Sequence, residues 1–328
     1  NCRERGYSEE LTREVWRQIE SFSGYSFSKA HSASFAVESF QSLYLKTYFP
    51  VEFMVAVINN FGGFYSTEVY VHEARMAGAS INAPCVNKSL YLTHVYGKEV
   101  YLGFIHMQSF ETKAAHRIIR EREHGGEFTS LEDFIKRVDI GREQLDLLIR
   151  IGAFRFTGMN KYELMWAKNA IFNPAVKHHN TAYLFDTVHQ AFSLPVLEEG
   201  PYDQAFDEIE LLGFPLSSPF ELVESSFNGK ICSAEFKKYT GQTVTILGYY
   251  ITRKYVRTVQ GKLMNFGTFI DKNGIFFDTV HFPKSLEQYT FKGPGCYAIE
   301  GKVVEEFGFP SIEVSRMAKL PYVKDNRY

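Results

Sequence analysis

Residues 243–282 read TVTILGYYITRKYVRTVQGKLMNFGTFIDKNGIFFDTVHF, and this stretch decides the architecture of the last third of the chain. β-Branched and aromatic residues dominate 243–252, 263–271 and 275–282, and turn-forming residues bound each run, which is the pattern of strands. Gln260-Gly261 separates the first run from the second, and Lys272-Asn273-Gly274 separates the second from the third. Asn-Gly is the preferred pair of a tight hairpin because both of its residues accept positive φ. Further on, 285–289 suits a short helix, and 296–305 and 310–317 supply two more strands.

Five strands with a helical insert after the third predict an OB-fold barrel. Such a barrel binds single strands by stacking bases on aromatic rings in a basic groove. Tyr249, Tyr250, Phe266 and Phe269 are candidate platforms, and Arg253, Lys254, Arg257 and Lys262 supply the charge. Alternation along a strand turns half of these rings into the core, so the charges carry the reading further than any single ring. The distribution of charge agrees. Residues 198–228 hold eight acidic and no basic residues, whereas 229–328 hold fifteen Lys and Arg against nine Asp and Glu. A basic module behind an acidic connector suggests a nucleic-acid surface at one end.

The first two-thirds of the chain has helical periodicity. Ser8 caps a run in which Leu11, Val15, Ile19 and Phe22 repeat at helical spacing, predicting a helix with one face in a core. In residues 24–50, GYSFSKAHSASFAVESFQSLYLKTYFP, Ser28 suits an N-cap and Pro50 ends the element. Phe35, Phe40, Leu43 and Tyr44 fall at the spacing of one buried face. Lys29, His31 and Ser32 then sit in the first turn, where free N–H groups and the helix dipole attract anions such as phosphate. The competing reading is an ordinary capped helix start with solvated side chains. Further helices are expected over 50–60, 66–78 and 112–123, and after a Thr129 or Ser130 cap.

The 328 residues suggest two or three domains, and a hydrophobic share of 45% argues against disorder. Cys2, Cys85, Cys232 and Cys296 form no C-x-x-C pair and the ten histidines show no ligand spacing, so no structural metal is expected. No apolar run approaches the roughly 18 residues of a membrane span, which predicts a soluble, cytoplasmic protein with no membrane partner. The chain opens at Asn1 without methionine and reads as a C-terminal fragment.

Four groups of residues carry a family resemblance. Tyr25, Phe27, Lys29, Ala30, His31, Phe35 and Ala36 resemble the run Y-x-F-x-K-S/A-H-x-x-x-(Y/F)-A of bacterial DNA polymerase III alpha subunits, the C-family DNA polymerases. Tyr44, Leu45, Lys46, Pro50, Glu52, Phe53 and Met54 resemble the Y-L-K-x-x-x-P-x-E-F-M that follows it. Leu102-Gly103-Phe104, Ala115, Ile118, Arg122, Gly125-Gly126, Phe128, Ser130-Leu131, Asp133-Phe134, Leu148-Ile149 and Gly152-Ala153-Phe154 resemble the family's helix-hairpin-helix region. There the hairpin's G-V-G is replaced by Ser109-Phe110-Glu111, which removes the close backbone approach to phosphate and adds a negative charge. Lys113 to Glu143 contains seven basic and seven acidic residues, so duplex grip and a purely structural role stay equally open.

In the third group, Leu184 and Phe185 resemble the anchors of the family's Q-x-x-(L/M)-F sliding-clamp segment, with Thr181 in place of the glutamine. A buried staple of the linker is the alternative. In the fourth, Gly213, Phe214, Leu216 and Ser217 resemble the family's lead-in to its OB domain. Gly261, Lys262, Met264, Phe266, Thr268, Asp271 and Gly274 resemble its first two OB hairpins.

The resemblance implies a multi-domain α+β chain whose mostly helical first two-thirds precede a five-stranded OB-fold barrel. Residues 1–95 would end the polymerase fingers, 96–172 form the helix-hairpin-helix domain, 173–228 a linker with the clamp segment, and 229–328 the OB-fold. The parent would be a DNA-directed DNA polymerase, a nucleotidyltransferase of DNA replication. Its palm carboxylates and Mg2+ would lie upstream of Asn1, leaving no catalytic residue or cofactor here and a fragment inactive alone. The implied contacts are nucleotide at Tyr25, Lys29, His31 and Ser32; DNA at Tyr249, Arg253, Lys254, Arg257, Lys262 and Phe266; and sliding clamp at Thr181, Leu184 and Phe185. Primer-template and single-stranded template DNA, the clamp and other replisome subunits are the implied partners. The end of the chain soon after the barrel strands resembles the family's shorter members, which include error-prone ones, and leaves open whether the parent is the main replicative or an error-prone polymerase. The reading from another class is a non-catalytic OB-fold module for single-stranded nucleic-acid binding or assembly, which has no reason to carry residues 25–54.

Overall fold

Asp271, the residue before the Lys272-Asn273-Gly274 turn, shows how local sequence builds the barrel. Its buried carboxylate accepts from the backbone N–H of Asn273 (2.9 Å) and Ile275 (3.0 Å), closing the hairpin. It also accepts from Ser233 N–H (2.9 Å) and Oγ (2.7 Å), fastening the lead-in segment to the sheet. The computed structural model describes all residues except 1, 3, 27, 28, 173–197, 225–228, 230 and 328. It comprises two units, Asn1–Phe53 and Met54–Tyr328.

The first unit contains α1 (Glu9–Ser26) and α2 (Lys29–Tyr48). Ser8 Oγ accepts from Leu11 N–H at 3.2 Å, so α1 is capped as expected. The faces expected in a core are exposed: Leu11, Val15 and Ile19 on α1, and Phe35, Phe40, Leu43 and Tyr44 on α2, with Phe40 at 77%. Periodicity marks a face that needs cover without supplying the cover, and two helices in this unit provide no further layer over these faces.

α3 (Pro50–Asn59) begins in the first unit and contributes buried Met54, Val55 and Ile58 to the second, where α4 (Thr67–Met76) follows. A small sheet is ordered β1 (Ser80–Asn82), β3 (Glu99–Tyr101), β2 (His94–Tyr96), with β1 parallel to β3. Helices α5 (Thr112–Gly125), α6 (Leu131–Arg137), α7 (Arg142–Arg150), α8 (Lys161–Ile171) and α9 (Asp203–Leu212) complete the helical part. Its core holds Leu102, Phe104, Ala115, Ile118, Phe134, Leu148 and Phe154, all essentially inaccessible. Gly103 lies so close to the Tyr91–Leu92 backbone that any Cβ would overlap it, which accounts for glycine in Leu-Gly-Phe. Arg122 donates to the Val86 (2.8 Å) and Ser89 (2.9 Å) carbonyls, and Ser130 caps α6 through Asp133 N–H. The acidic run read as connector contains α9, whose Asp207 is 2% exposed and bound by Arg150 (2.7 Å), Lys161 (2.6 Å) and Arg327.

The barrel closes in the order β4 (Thr243–Arg257), β5 (Leu263–Ile270), β6 (Phe276–His281), β8 (Phe309–Lys319), β7 (Cys296–Glu306), with α10 (Pro283–Gln288) after the third strand. Only β6 and β8 pair in parallel. This is the five-stranded topology expected of an OB-fold. β4 runs five residues past its expected end at 252, because a bulge between Tyr250 and Thr252 lets its first half pair with β7 and its second half with β5.

The barrel is fastened to the helical part. His72 Nε2 donates to the Gly274 carbonyl (2.8 Å) and Arg75 to the Leu216 carbonyl (2.7 Å). Gly274 has φ +81°, and a Cβ there would meet Met76 Sδ at 2.8 Å and His72 Cε1 at 2.9 Å, so glycine is required twice over. The tail pairs back on the lead-in, with Val323 N–H to Leu222 O at 2.8 Å and Glu224 N–H to Pro321 O at 3.1 Å, before Arg327 reaches Asp207.

Candidate nucleic-acid interface

The β4–β5 hairpin closes over residues 258–262, where Thr258 exchanges hydrogen bonds with Gly261 and Lys262, and Gly261 takes positive φ. It displays Lys254, Arg257 and Lys262, all exposed, with Val259 at its tip. Among the described residues, none of Arg253, Lys254, Arg257 or Lys262 belongs to an ion pair. Arg257 is steadied only by its own hairpin, donating to Gly261 O at 3.2 Å. Arg253 places its guanidinium 4.8 Å from the Tyr255 ring and 5.1 Å from the Phe291 ring.

Lys254 is in register with Phe266, and Phe266 with Val280. Phe266 is 42% exposed and presents an open ring beside a cation. The next row holds Thr252, Thr268 and Asp278, where Thr268 Oγ1 donates to Asp278 (2.8 Å). The structure therefore sets Lys254 and Phe266 in one row of the β4–β5 sheet, with Arg257 and Lys262 at the turn end of the same hairpin.

The other ring candidates are elsewhere. Tyr249 is 8% exposed against α4 and hydrogen-bonded to Glu68. Burial and then the Glu68 carboxylate push its hydroxyl far above the usual phenol range, while burial raises Glu68 itself. It offers no stacking surface, so the expectation for Tyr249 is corrected. Tyr250 meets Phe269 and Phe291 edge-on at 5.8 and 5.6 Å inside the barrel, and Phe269 is fully buried. Strand alternation accounts for this. Tyr255, Phe276 and Phe282 are exposed barrel aromatics that the sequence reading passed over, Tyr255 because β4 was expected to stop before it.

At the start of α2, His31 is exposed and meets Phe35 edge-on at 4.4 Å, and Ser32 is exposed beside it. Lys29 opens that helix and Tyr25 lies near the end of α1; their side chains, and the Ser28 cap, are outside the described residues. Thr181, Leu184 and Phe185 also fall outside the described residues.

The substituted hairpin is closed by its own neighbours. Ser109 takes φ +60°, a left-handed conformation that glycine ordinarily supplies. The side chain of Gln144 spans the turn, accepting from Glu111 N–H (2.7 Å) and donating to Ser109 O (3.1 Å). Among the described residues, no cluster of three His, Cys, Asp or Glu is placed to hold a metal. No described helix is long and apolar enough to cross a membrane.

Comparison with known proteins agrees with the motifs. The family model of the helix-hairpin-helix motif matches residues 78–164. The chain is 27% identical over 326 residues to a DNA polymerase III subunit alpha of Borreliella burgdorferi, covering 93% of this chain and 28% of that one. It is 28% identical to an error-prone DNA polymerase of Vibrio campbellii, covering 83% and 26%. It is 35% identical over 157 residues to a DNA polymerase III subunit alpha of Thermus aquaticus, covering 46% and 13%. Among solved structures, the second OB-fold domain of replication protein A from Methanococcus maripaludis matches 26% of this chain and 91% of its own, at 13% identity and TM-score 0.20. A putative nucleic acid-binding lipoprotein from Klebsiella pneumoniae matches 27% and 78%, at 13% identity and TM-score 0.22. The barrel assignment rests on strand order and not on these two. The chain spans about a quarter of the length of the first two of these relatives, and along most of its own length it is similar to bacterial DNA polymerase III alpha subunits and error-prone DNA polymerases.

Proposed function

We propose that this chain is the part of a C-family DNA polymerase that receives single-stranded template on its barrel during DNA replication. The observation that carries this reading is the β4–β5 hairpin, whose exposed Lys254, Arg257 and Lys262 lie outside any ion pair among the described residues, with Lys254 in register with the open ring of Phe266. Cations track the phosphates and the ring stacks a base, the two contributions that sequence-tolerant single-strand binding requires. Nucleotidyl transfer itself belongs to the palm carboxylates and Mg2+ of the whole polymerase.

Two further contacts complete the proposal. Lys29, His31 and Ser32 at the start of α2, with Tyr25, contact the incoming nucleotide's phosphates, supported by the helix-start position and the family motif. Thr181, Leu184 and Phe185 contact a sliding clamp, supported by their motif alone. Other replisome subunits and a cytoplasmic setting follow from the same family reading.

The test is binding of a labelled oligothymidylate to the full chain across salt concentrations. Each phosphate neutralised on a single strand steepens the log–log salt dependence by about 0.7. The double variant Arg257→Ala, Lys262→Ala is therefore expected to flatten it by roughly 1.4. An unchanged slope removes the hairpin from the account.

A further inference from the structure

The β7–β8 hairpin turns through two residues, Phe307 at φ +51° and Gly308 at +81°. Both positive angles define the tight turn that Asn-Gly or Asp-Gly satisfies with little strain; a bulky side chain at the first position is strained. Phe307 gains no packing in return, being fully exposed (107%), and Phe309 two residues on is 71% exposed. Folding alone would favour asparagine here. A large ring kept in a strained conformation without packing points to a contact made outside the fold.

The register connects this tip to the face that carries Phe266. The outward row Lys254, Phe266, Val280 continues through the parallel pairing of β6 with β8 to Glu313. From Glu313, β8 runs six residues back to Phe307, about 20 Å at the usual strand rise, while two strand spacings of about 5 Å separate β8 from Phe266. The tip thus projects on the order of 20 Å from Phe266, along the sheet that would carry the strand.

We propose that Phe307, backed by Phe309, is a stacking finger for an unpaired nucleobase of a single strand lying on the β4–β6 face; this rests on the single-strand reading above. Glu305 and Glu306 flank the ring and repel phosphate, so the contact is confined to the base and adds nothing to counterion release.

The experiment compares Phe307→Asn with Arg257→Ala, Lys262→Ala in the full chain, using labelled oligothymidylate and thermal unfolding. Asparagine suits the turn, so Phe307→Asn is expected to unfold at an equal or higher temperature. Its affinity is expected to fall about ten- to a hundredfold with the salt slope unchanged. Glu305→Gln with Glu306→Gln is expected to tighten binding. Unchanged affinity in Phe307→Asn, while the Arg257/Lys262 variant still loses slope, overturns the finger, leaves the single-strand reading standing and points to a protein partner for the ring. Absence of any binding by the wild-type chain overturns both.

Discussion

His281 ends β6 with its ring buried, Nε2 2.9 Å from Thr279 Oγ1, and His106 lies largely buried with Nε2 3.0 Å from Thr93 Oγ1. Burial lowers each from the usual histidine value of about 6.5 to about 4. The unfolded chain therefore binds more protons than the folded one between these values, and stability falls as pH drops through that window. Above about 6.5 both rings are neutral in either state and the penalty vanishes. Each histidine is expected to contribute roughly 1.4 kcal/mol of lost stability per pH unit within the window. Urea unfolding at pH 7, 6 and 5 tests this: a His106→Asn, His281→Asn double variant should show a flatter slope than the wild type, and parallel curves would exclude the histidines. At the same scale Tyr249 shows where reading residues stops. Alternation decides which strand side a ring takes, but the cover over that side, Glu68 on α4, lies some 180 positions earlier in the chain.

At the scale of elements, the hairpins of the barrel were legible because Gln260-Gly261 and Asn273-Gly274 impose their turns locally. α9 was not. Its acidic face resembles a solvated connector, and the cations that bury it, Arg150, Lys161 and Arg327, come from three separate parts of the chain. The exposed faces of α1 and α2 failed in the opposite direction, since amphipathicity was legible and its cover was not. The hairpin preceding α5 falls between these cases. Its departure from glycine was visible, whereas the Gln144 amide that satisfies the turn was not, because it sits 33 positions after Glu111. Gln144→Ala is expected to lower stability by about 1 kcal/mol, measured as a lower urea midpoint at constant slope, since it frees one donor and one acceptor near solvent. No shift in the midpoint would mean that water replaces the amide fully.

Across the second unit, the tail is the long-range tie. Arg327 joins Arg150 and Lys161 around Asp207 and also meets Glu210 and Asp325, the last at 2.8 Å. A buried carboxylate with three cations tolerates losing one of them better than the cations tolerate losing the carboxylate. Arg327→Ala is expected to cost about 1–3 kcal/mol, and Asp207→Ala more, about 3–5 kcal/mol, by urea unfolding. Equal small losses would show that the cluster is an ordinary surface arrangement.

The fifteen-residue β4 carries the basic hairpin at one end and Tyr249, seated on α4, near its middle. A strand of DNA held at that hairpin and pulled would load β4 lengthwise. The ladders to β7 and β5 would then take the force in shear, many hydrogen bonds at once, rather than opening one after another like a zip. Under the single-strand binding proposed above, tension on the bound strand would pass along one continuous β-strand into the helical part, making the barrel a handle by which the helices are pulled.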